Sequence, residues 1–410
     1  MAGKKILFIS YDGMTDPLGQ SQVIPYLSNL TKAGYSFTIL SCDKADKYQA
    51  GKAYVEKLIA PFPIQWLSIP YHKNPPVLSS VYDYYALKKA AKKLQAIHHF
   101  DMVHTRPGLP TLVALHLKKK YGLKFLNDIR GFWADERVDG GMWNLKNPVF
   151  KLLYHFFKQR EYNCFIKEDY AICLTYKGRD EIHSRKNIPR QPIPVEVIPC
   201  SVDMELFDEN KIDQSLKATF KNELNIKDED FVISYLGSIG GWYLTDEMMR
   251  FCKNVSERIP KAKFLFISPH SNDVTVAAAK FGLAAEKLIV RQGKRHEVPV
   301  LLSFSNYSLF FIKQCYSKIA SSPTKHAEIM AMGIPVITNS GVGDVAEIVT
   351  KYNAGYIIND FTDTAFAAVI DKIIAGNGFD KLAIRNGAKD FYALETAVEC
   401  YRKVYDKILK

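Results

Sequence analysis

The chain has 410 residues, room for two domains of ordinary size, and at 47% hydrophobic and 24% charged it is composed like a globular protein, which excludes a disordered one. Its 55 lysines and arginines against 43 acidic residues leave a net charge of +12. That favours phosphorylated ligands or an acidic membrane surface, and without zinc-finger spacing, an RNP-type segment or a basic zipper no nucleic-acid partner is expected. The seven cysteines form no CxxC pair and no apolar run is long enough for a bilayer, which argues against zinc, disulfides and a spanning anchor and points to a reducing, cytoplasmic setting.

Lys4–Ser10 predicts a strand, followed by a polar loop over 11–20 that contains Gly19, a helix over 21–33 ended by Gly34, and a strand over 37–41. A loop at the carboxyl end of a strand is where open α/β sheets bind ligands. The Gly-x-Gly-x-x-Gly fingerprint is missing, so no dinucleotide cofactor is expected. A helix over 82–98 carries Lys88, Lys89, Lys92 and Lys93, and Lys118–Lys120 add further charge. The strand Lys124–Ile129 runs into Asp128 and Arg130, with Phe132, Trp133 and Asp135 close behind. Charges interleaved with aromatics at a strand end suit a functional role for Asp128 or Arg130; the competing reading is an ion pair that only holds the loop. Pro148–Lys167 predicts a helix whose aromatic residues alternate with Lys151, Lys158 and Arg160, fit either for a membrane surface or for one buried face.

Four prolines between 189 and 199 mark a connecting segment, and a second series then begins. It predicts a strand over Phe231–Leu236, a glycine-rich turn from Gly237, a helix over Thr245–Arg258, and further strands over 263–268, 288–291 and 307–312 with helices between them. Gly293, Lys294 and Arg295 lie in a loop of this series. Two α/β halves of similar size follow.

The stretch 320–339 ends the series. Ser322 suits an N-cap and Pro323 the first helical position, with the helix running to Met332, Gly333 as left-handed terminator and a buried strand over 334–338. Unused N–H groups near Thr324, with Lys325 one turn in, make an anion site, and Glu328 near the same face can accept two sugar hydroxyls. A phosphate site beside a hydroxyl acceptor suits a nucleotide-sugar. The alternative is an ordinary capped helix with Lys325 and Glu328 in solvent.

Glu328 followed by Gly333-Ile334-Pro335-Val336 resembles the donor signature of the retaining glycosyltransferases of family four: a Glu, seven residues, a second Glu, then a Gly-hydrophobic-Pro-hydrophobic strand. Glu328 matches the second Glu, which in that family binds the donor ribose; the first falls at Ala320 and is absent. The loop with Gly19 resembles the family's first glycine loop, and 197–203 resembles its interdomain segment. Arg130 fills the position where the family carries an acceptor-side His. The family's diphosphate-holding Arg and Lys fall at Ser238 and Tyr243, leaving Lys325, Arg295 and the helix N–H groups to supply that charge.

The resemblance implies a GT-B-like fold of two Rossmann-like domains facing across a cleft. An acceptor domain is expected over 1–198, a donor domain over 199–388, and a last helix, 389–410, crossing back to the first. It implies retaining transfer from a nucleotide-diphosphate sugar, a UDP-sugar by preference, to a glycan or lipid-linked saccharide in surface polysaccharide or glycan assembly. Asp128 and Arg130 are the candidate catalytic residues. The donor is expected at Gly19, Gly237, Ser238, Gly293, Lys294, Arg295, Ser322, Pro323, Thr324, Lys325 and Glu328. Neither metal nor cofactor is expected, and the location is cytoplasmic or peripheral on the inner membrane face. The alternatives are a non-catalytic nucleotide- or membrane-binding partner subunit, and a nucleotide-sugar epimerase on the same fold.

Overall fold

Ile6, Leu7, Phe8 and Ile9 are all buried, as a strand covered on both faces requires: Ile6 and Phe8 enter one apolar cluster, Leu7 and Ile9 another. The structure, a computed structural model, describes residues 3–376 and 378–410. The chain divides into two units, Met1–Pro199 with Leu394–Lys410, and Cys200–Ala393.

Among the described residues of the first unit, β1 (Lys4–Ser10), β2 (Tyr35–Asp43), β3 (Ile64–Pro70), β4 (Met102–Thr105), β5 (Lys124–Ile129), β6 (Tyr170–Cys173) and β7 (Val195–Val197) form one parallel sheet in the order β3-β2-β1-β4-β5-β6-β7. The order reverses between β1 and β4, which pair from Ile6 opposite Met102, so the loops after these strands open at a topological switch point. In the second unit, β8 (Phe231–Leu236), β9 (Ala262–Ile267), β10 (Leu288–Arg291), β11 (Tyr307–Phe310), β12 (Val336–Asn339) and β13 (Gly355–Ile358) run parallel in the order β10-β9-β8-β11-β12-β13. Its switch point lies between β8 and β11. One large apolar cluster fills this unit, whereas the two faces of the first sheet carry separate clusters.

The last helix, Leu394–Leu409, belongs to the first unit. Its Tyr401, Val404, Tyr405 and Ile408 complete the cluster on the Ile6 and Phe8 face. It starts at 394 and not at 389, because Ile384, Ala388 and Tyr392 of the preceding helix, Lys381–Tyr392, are buried in the core of the second unit and Ala393, at φ −58 and ψ 134, breaks the helix.

The helix expected over 21–33 is two helices, Pro17–Gln22 and Ile24–Thr31, broken at Val23. Pro25 disfavours a continuous helix through this point, since it brings no N–H and crowds the residue before it. The first helix therefore begins inside the supposed loop. Among the described residues no helix is long and apolar enough to cross a membrane. Helix Pro148–Lys167 buries only Cys164 and Phe165 and leaves Val149, Leu152 and Phe156 exposed.

Candidate active site

In the second unit the chain leaves β8 through Gly237, whose φ of +117 suits glycine, and a Cβ there would lie 3.0 Å from Lys325 Nζ. Lys325 rises from the first turn of helix Thr324–Ala331 and is buried. Its ammonium donates to Tyr235 Oη at 3.0 Å and stands 3.7 Å from the Tyr243 ring centroid and 4.2 Å from that of Tyr235. Burial, partly offset by Glu328, pulls the Lys325 pKa well below 10.5. Burial also raises both tyrosines, so they remain neutral and turn ring faces and a hydroxyl to the amine.

Glu328, one turn on, is buried and ion-paired to Arg295, whose guanidinium also lies 4.8 Å from the Phe207 ring. Neither Lys325 nor Glu328 is therefore the solvated side chain of an ordinary surface helix. His326 between them bonds Tyr392 Oη through Nδ1 at 3.0 Å, and burial lowers its pKa to about 3, so it is a neutral core residue.

The helix start differs from expectation. Residues 321–323 are extended, Pro323 holds the N-cap place, and the Ser322 hydroxyl accepts from the Cys200 N–H at 3.3 Å instead of capping the helix. The N–H groups of Thr324 and Lys325 thus begin the helix without an intrahelical acceptor. Gly333 is left-handed at φ +67, but the strand begins at Val336 and not at 334. Ser238 is exposed beside this group, with its carbonyl accepting from Tyr235 Oη. Gly293 is a packing position: a Cβ would come 3.0 Å from Leu301 Cδ1. The Lys294 side chain is exposed, and its N–H donates to Glu297 Oε2 at 2.8 Å. Lys325, Glu328, Arg295, Gly237 and Ser238 are thus brought to one end of the second sheet, with Tyr235 and Tyr243 as the cage that the sequence did not reveal. Its only trace there was the pair of tyrosines flanking a glycine-rich turn.

In the first unit Gly19 is buried in helix Pro17–Gln22, where a Cβ would lie 2.6 Å from Met14 Cα and Gly13 O. It serves the close approach of two backbone segments at the end of β1. Asp128 is buried at the end of β5, accepts from Tyr401 Oη at 2.9 Å, and has Arg106 Nη1 at 3.4 Å, His104 Nε2 at 3.6 Å and Arg130 Nη1 at 3.8 Å around it. Burial raises its pKa, but Arg130 and Arg106, with His104, more than offset this and hold it well below the usual carboxylate range. His104 is itself lowered by burial. Arg130 also donates to Gln22 Oε1 at 3.2 Å and its side chain is 12% exposed against 1% for Asp128. Asp128 is thus buried among Arg130, Arg106 and the last helix, and Arg106, His104 and Tyr401 are the partners the sequence did not reveal.

Residues 217–390 match the family described as glycosyl transferases group 1. An uncharacterized glycosyltransferase of Methanocaldococcus jannaschii, MJ1607, is 21% identical over 309 residues, covering 72% of each chain. A crystal structure of a glycosyltransferase from Rickettsia africae superposes with a TM-score of 0.73 at 16% identity over 100% of both chains. HepE of Anabaena in complex with UDP superposes with a TM-score of 0.69 at 12% identity, over 98% of this chain and 100% of that one. The fold of two parallel-sheet Rossmann-like units is that of the GT-B glycosyltransferases.

Proposed function

We propose, from the match of residues 217–390 to the group 1 glycosyltransferases, that the chain carries out a retaining transfer of a sugar from a nucleoside-diphosphate sugar to a glycan or lipid-linked saccharide. The observation that carries the donor half is the Lys325 cage: a buried amine with neutral partners, beside a glycine turn and the start of a helix, is short of an anion. A diphosphate supplies that anion, and Lys325 together with the Thr324 and Lys325 N–H groups stabilises the charge that grows on it as the sugar leaves. Glu328 takes the ribose hydroxyls, exchanging part of its pairing with Arg295. The UDP held by HepE supports UDP as the nucleotide. No metal or cofactor enters this scheme. In the first unit Arg130 is the group that meets the acceptor, with Asp128 behind it as a positioning residue, and glycan assembly is the setting.

Calorimetric titration with UDP and with inorganic pyrophosphate tests the assignment. Lys325→Ala is expected to weaken both ligands about tenfold to a hundredfold, as loss of a charge-assisted hydrogen bond does. Glu328→Gln is expected to weaken UDP and hardly touch pyrophosphate. Unchanged UDP affinity in Lys325→Ala overturns the phosphate site, and in Glu328→Gln the ribose site. A nucleotide-binding subunit without transfer is the second reading, favoured by Ala320: it is fully buried where the resemblance places a sugar-binding Glu. UDP binding without release of UDP from any UDP-sugar would select it.

A further inference from the structure

The chain between β3 and the following helix, Leu78–His98, builds a group that the donor and Arg130 assignments leave unused. His72, two residues past β3, is 41% exposed in its side chain, and Asp83 beneath it is fully buried. Asp83 accepts three hydrogen bonds: from His72 Nδ1 at 2.6 Å, from the His72 N–H at 3.1 Å and from Tyr11 Oη at 2.8 Å. A carboxylate that only accepts fixes the proton on Nδ1 and leaves Nε2 of the neutral ring as an acceptor. Tyr82, 62% exposed, stands edge-on to the imidazole at 4.9 Å, and Tyr71 packs on Tyr11 at 5.4 Å. The connecting backbone is held in an unfavourable state at Val77, a β-branched residue at φ +70, which the surroundings must over-determine.

From this geometry we infer that His72, backed by Asp83 and Tyr11 and flanked by Tyr82, is a saccharide-binding subsite of the first unit. The His72 Nε2 lone pair accepts a sugar hydroxyl hydrogen and the Tyr82 ring offers an apolar face. The inference rests on the reading of this unit as the acceptor side, and it names the acceptor's chemistry. A hydrogen-bond acceptor beside an exposed aromatic ring is the pairing that a sugar's hydroxyls and its C–H face take, so a polyol is the ligand the inference names. His72 follows β3 and Arg130 follows β5. Four strand spacings, about 19 Å of sheet edge, separate their backbones. The two groups therefore serve different hydroxyls, and the acceptor is longer than one sugar ring.

The test uses the full chain labelled with 15N-histidine. The spectrum of His72 is expected to show the Nδ1-protonated tautomer, and its Nε2 resonance to move on titration with methyl α-glucoside, methyl β-galactoside or maltotriose, with maltotriose binding tightest. His72→Phe keeps a flat ring but removes the lone pair together with the Nδ1 donor to Asp83, so it is compared with the native chain by melting temperature first, and is expected to weaken maltotriose about fivefold, the usual worth of one hydrogen bond. Asp83→Asn offers a donor in place of an acceptor and is expected to move the proton to Nε2 and weaken maltotriose by a similar factor. An Nε2-protonated tautomer in the native protein, no response of His72 to any of the three saccharides, or a response to inorganic phosphate in their place overturns the inference. UDP binding with a silent His72 would overturn this inference alone; saccharide binding at His72 without UDP binding would overturn the donor reading and leave this site standing.

Discussion

At the residue scale, burial decides what each charge does. The resemblance puts the diphosphate-holding cations at 238 and 243, where this chain has serine and tyrosine. Lys325, delivered from another element, places its side-chain nitrogen 3.7 Å from the Tyr243 ring. Glu168 shows the opposite outcome. It is 1% exposed at the end of helix Pro148–Lys167, and its carboxyl accepts from Asn127 Nδ2 at 2.8 Å. Burial, only partly countered by that bond and by Arg190, raises its pKa from 4.5 to about 8. Between those values the folded chain keeps a proton that the unfolded chain releases, so this group's contribution to stability falls as pH rises through the window. Glu168→Gln mimics the protonated form. Its stability relative to the native chain is expected to improve from pH 4.5 to about 8 by an order of a few kcal/mol, measured by denaturant unfolding. A gap that does not change with pH would mean that Glu168 is ionised in the fold.

At the element scale the last helix is the part of the chain on which the first unit depends most. Tyr401, Val404, Tyr405 and Ile408 are buried against β1 and its neighbours, and Tyr401 and Tyr405 bond Asp128 and His104. Four large side chains at about 1.5–3 kcal/mol each amount to roughly 6–12 kcal/mol, comparable with the whole stability of a domain. Truncation after Ala393 is therefore expected to abolish the melting transition of the first unit and spare that of Cys200–Ala393, which closes its own core. Two transitions surviving in calorimetry would show that the helix only decorates the sheet.

At the scale of the whole molecule, the charge of +12 meets apolar side chains that stand exposed among the described residues. Leu152 is 72% and Val149 54% exposed on helix Pro148–Lys167, with Lys151 and Arg160 exposed beside them, and Lys89, Lys93, Lys119 and Lys120 are exposed elsewhere on the same unit. Each basic residue near an anionic leaflet contributes about 1 kcal/mol, and salt removes it. The protein is expected to float with vesicles containing acidic lipid at low salt, to be released near 1 M salt where the screening length is about 3 Å, and to bind more weakly as Leu152→Glu. Equal recovery with and without acidic lipid would point to an acceptor free in solution.

The alternation of strands and helices was legible in residue order alone, because it rests on local pattern. The limits of Phe231–Leu236, Thr245–Arg258 and Pro148–Lys167 were legible to the residue, set by apolar runs, a proline at a helix start and glycine at turns. Ala45–Ile59, which buries only Val55 and Ile59, carries too thin an apolar stripe to be drawn from it, whereas Asp363–Ile374 was missed although Phe366, Val369, Ile370 and Ile373 fall at helical spacing behind the capping Thr362. Lys325, Glu328, Asp128 and Arg130 could be named as candidates from their places at strand and helix ends. Only the tertiary structure decided that Asp128 is sealed beneath Tyr401, that Glu328 has Arg295, and that Lys325 lies against tyrosines 82 and 90 positions away in the chain. Only it set Asp83 under His72. The reason is physical: a residue's type fixes which charge or lone pair it can offer, but burial and the partner across the fold fix whether it is offered at all, and both are properties of contacts that sequence order does not contain.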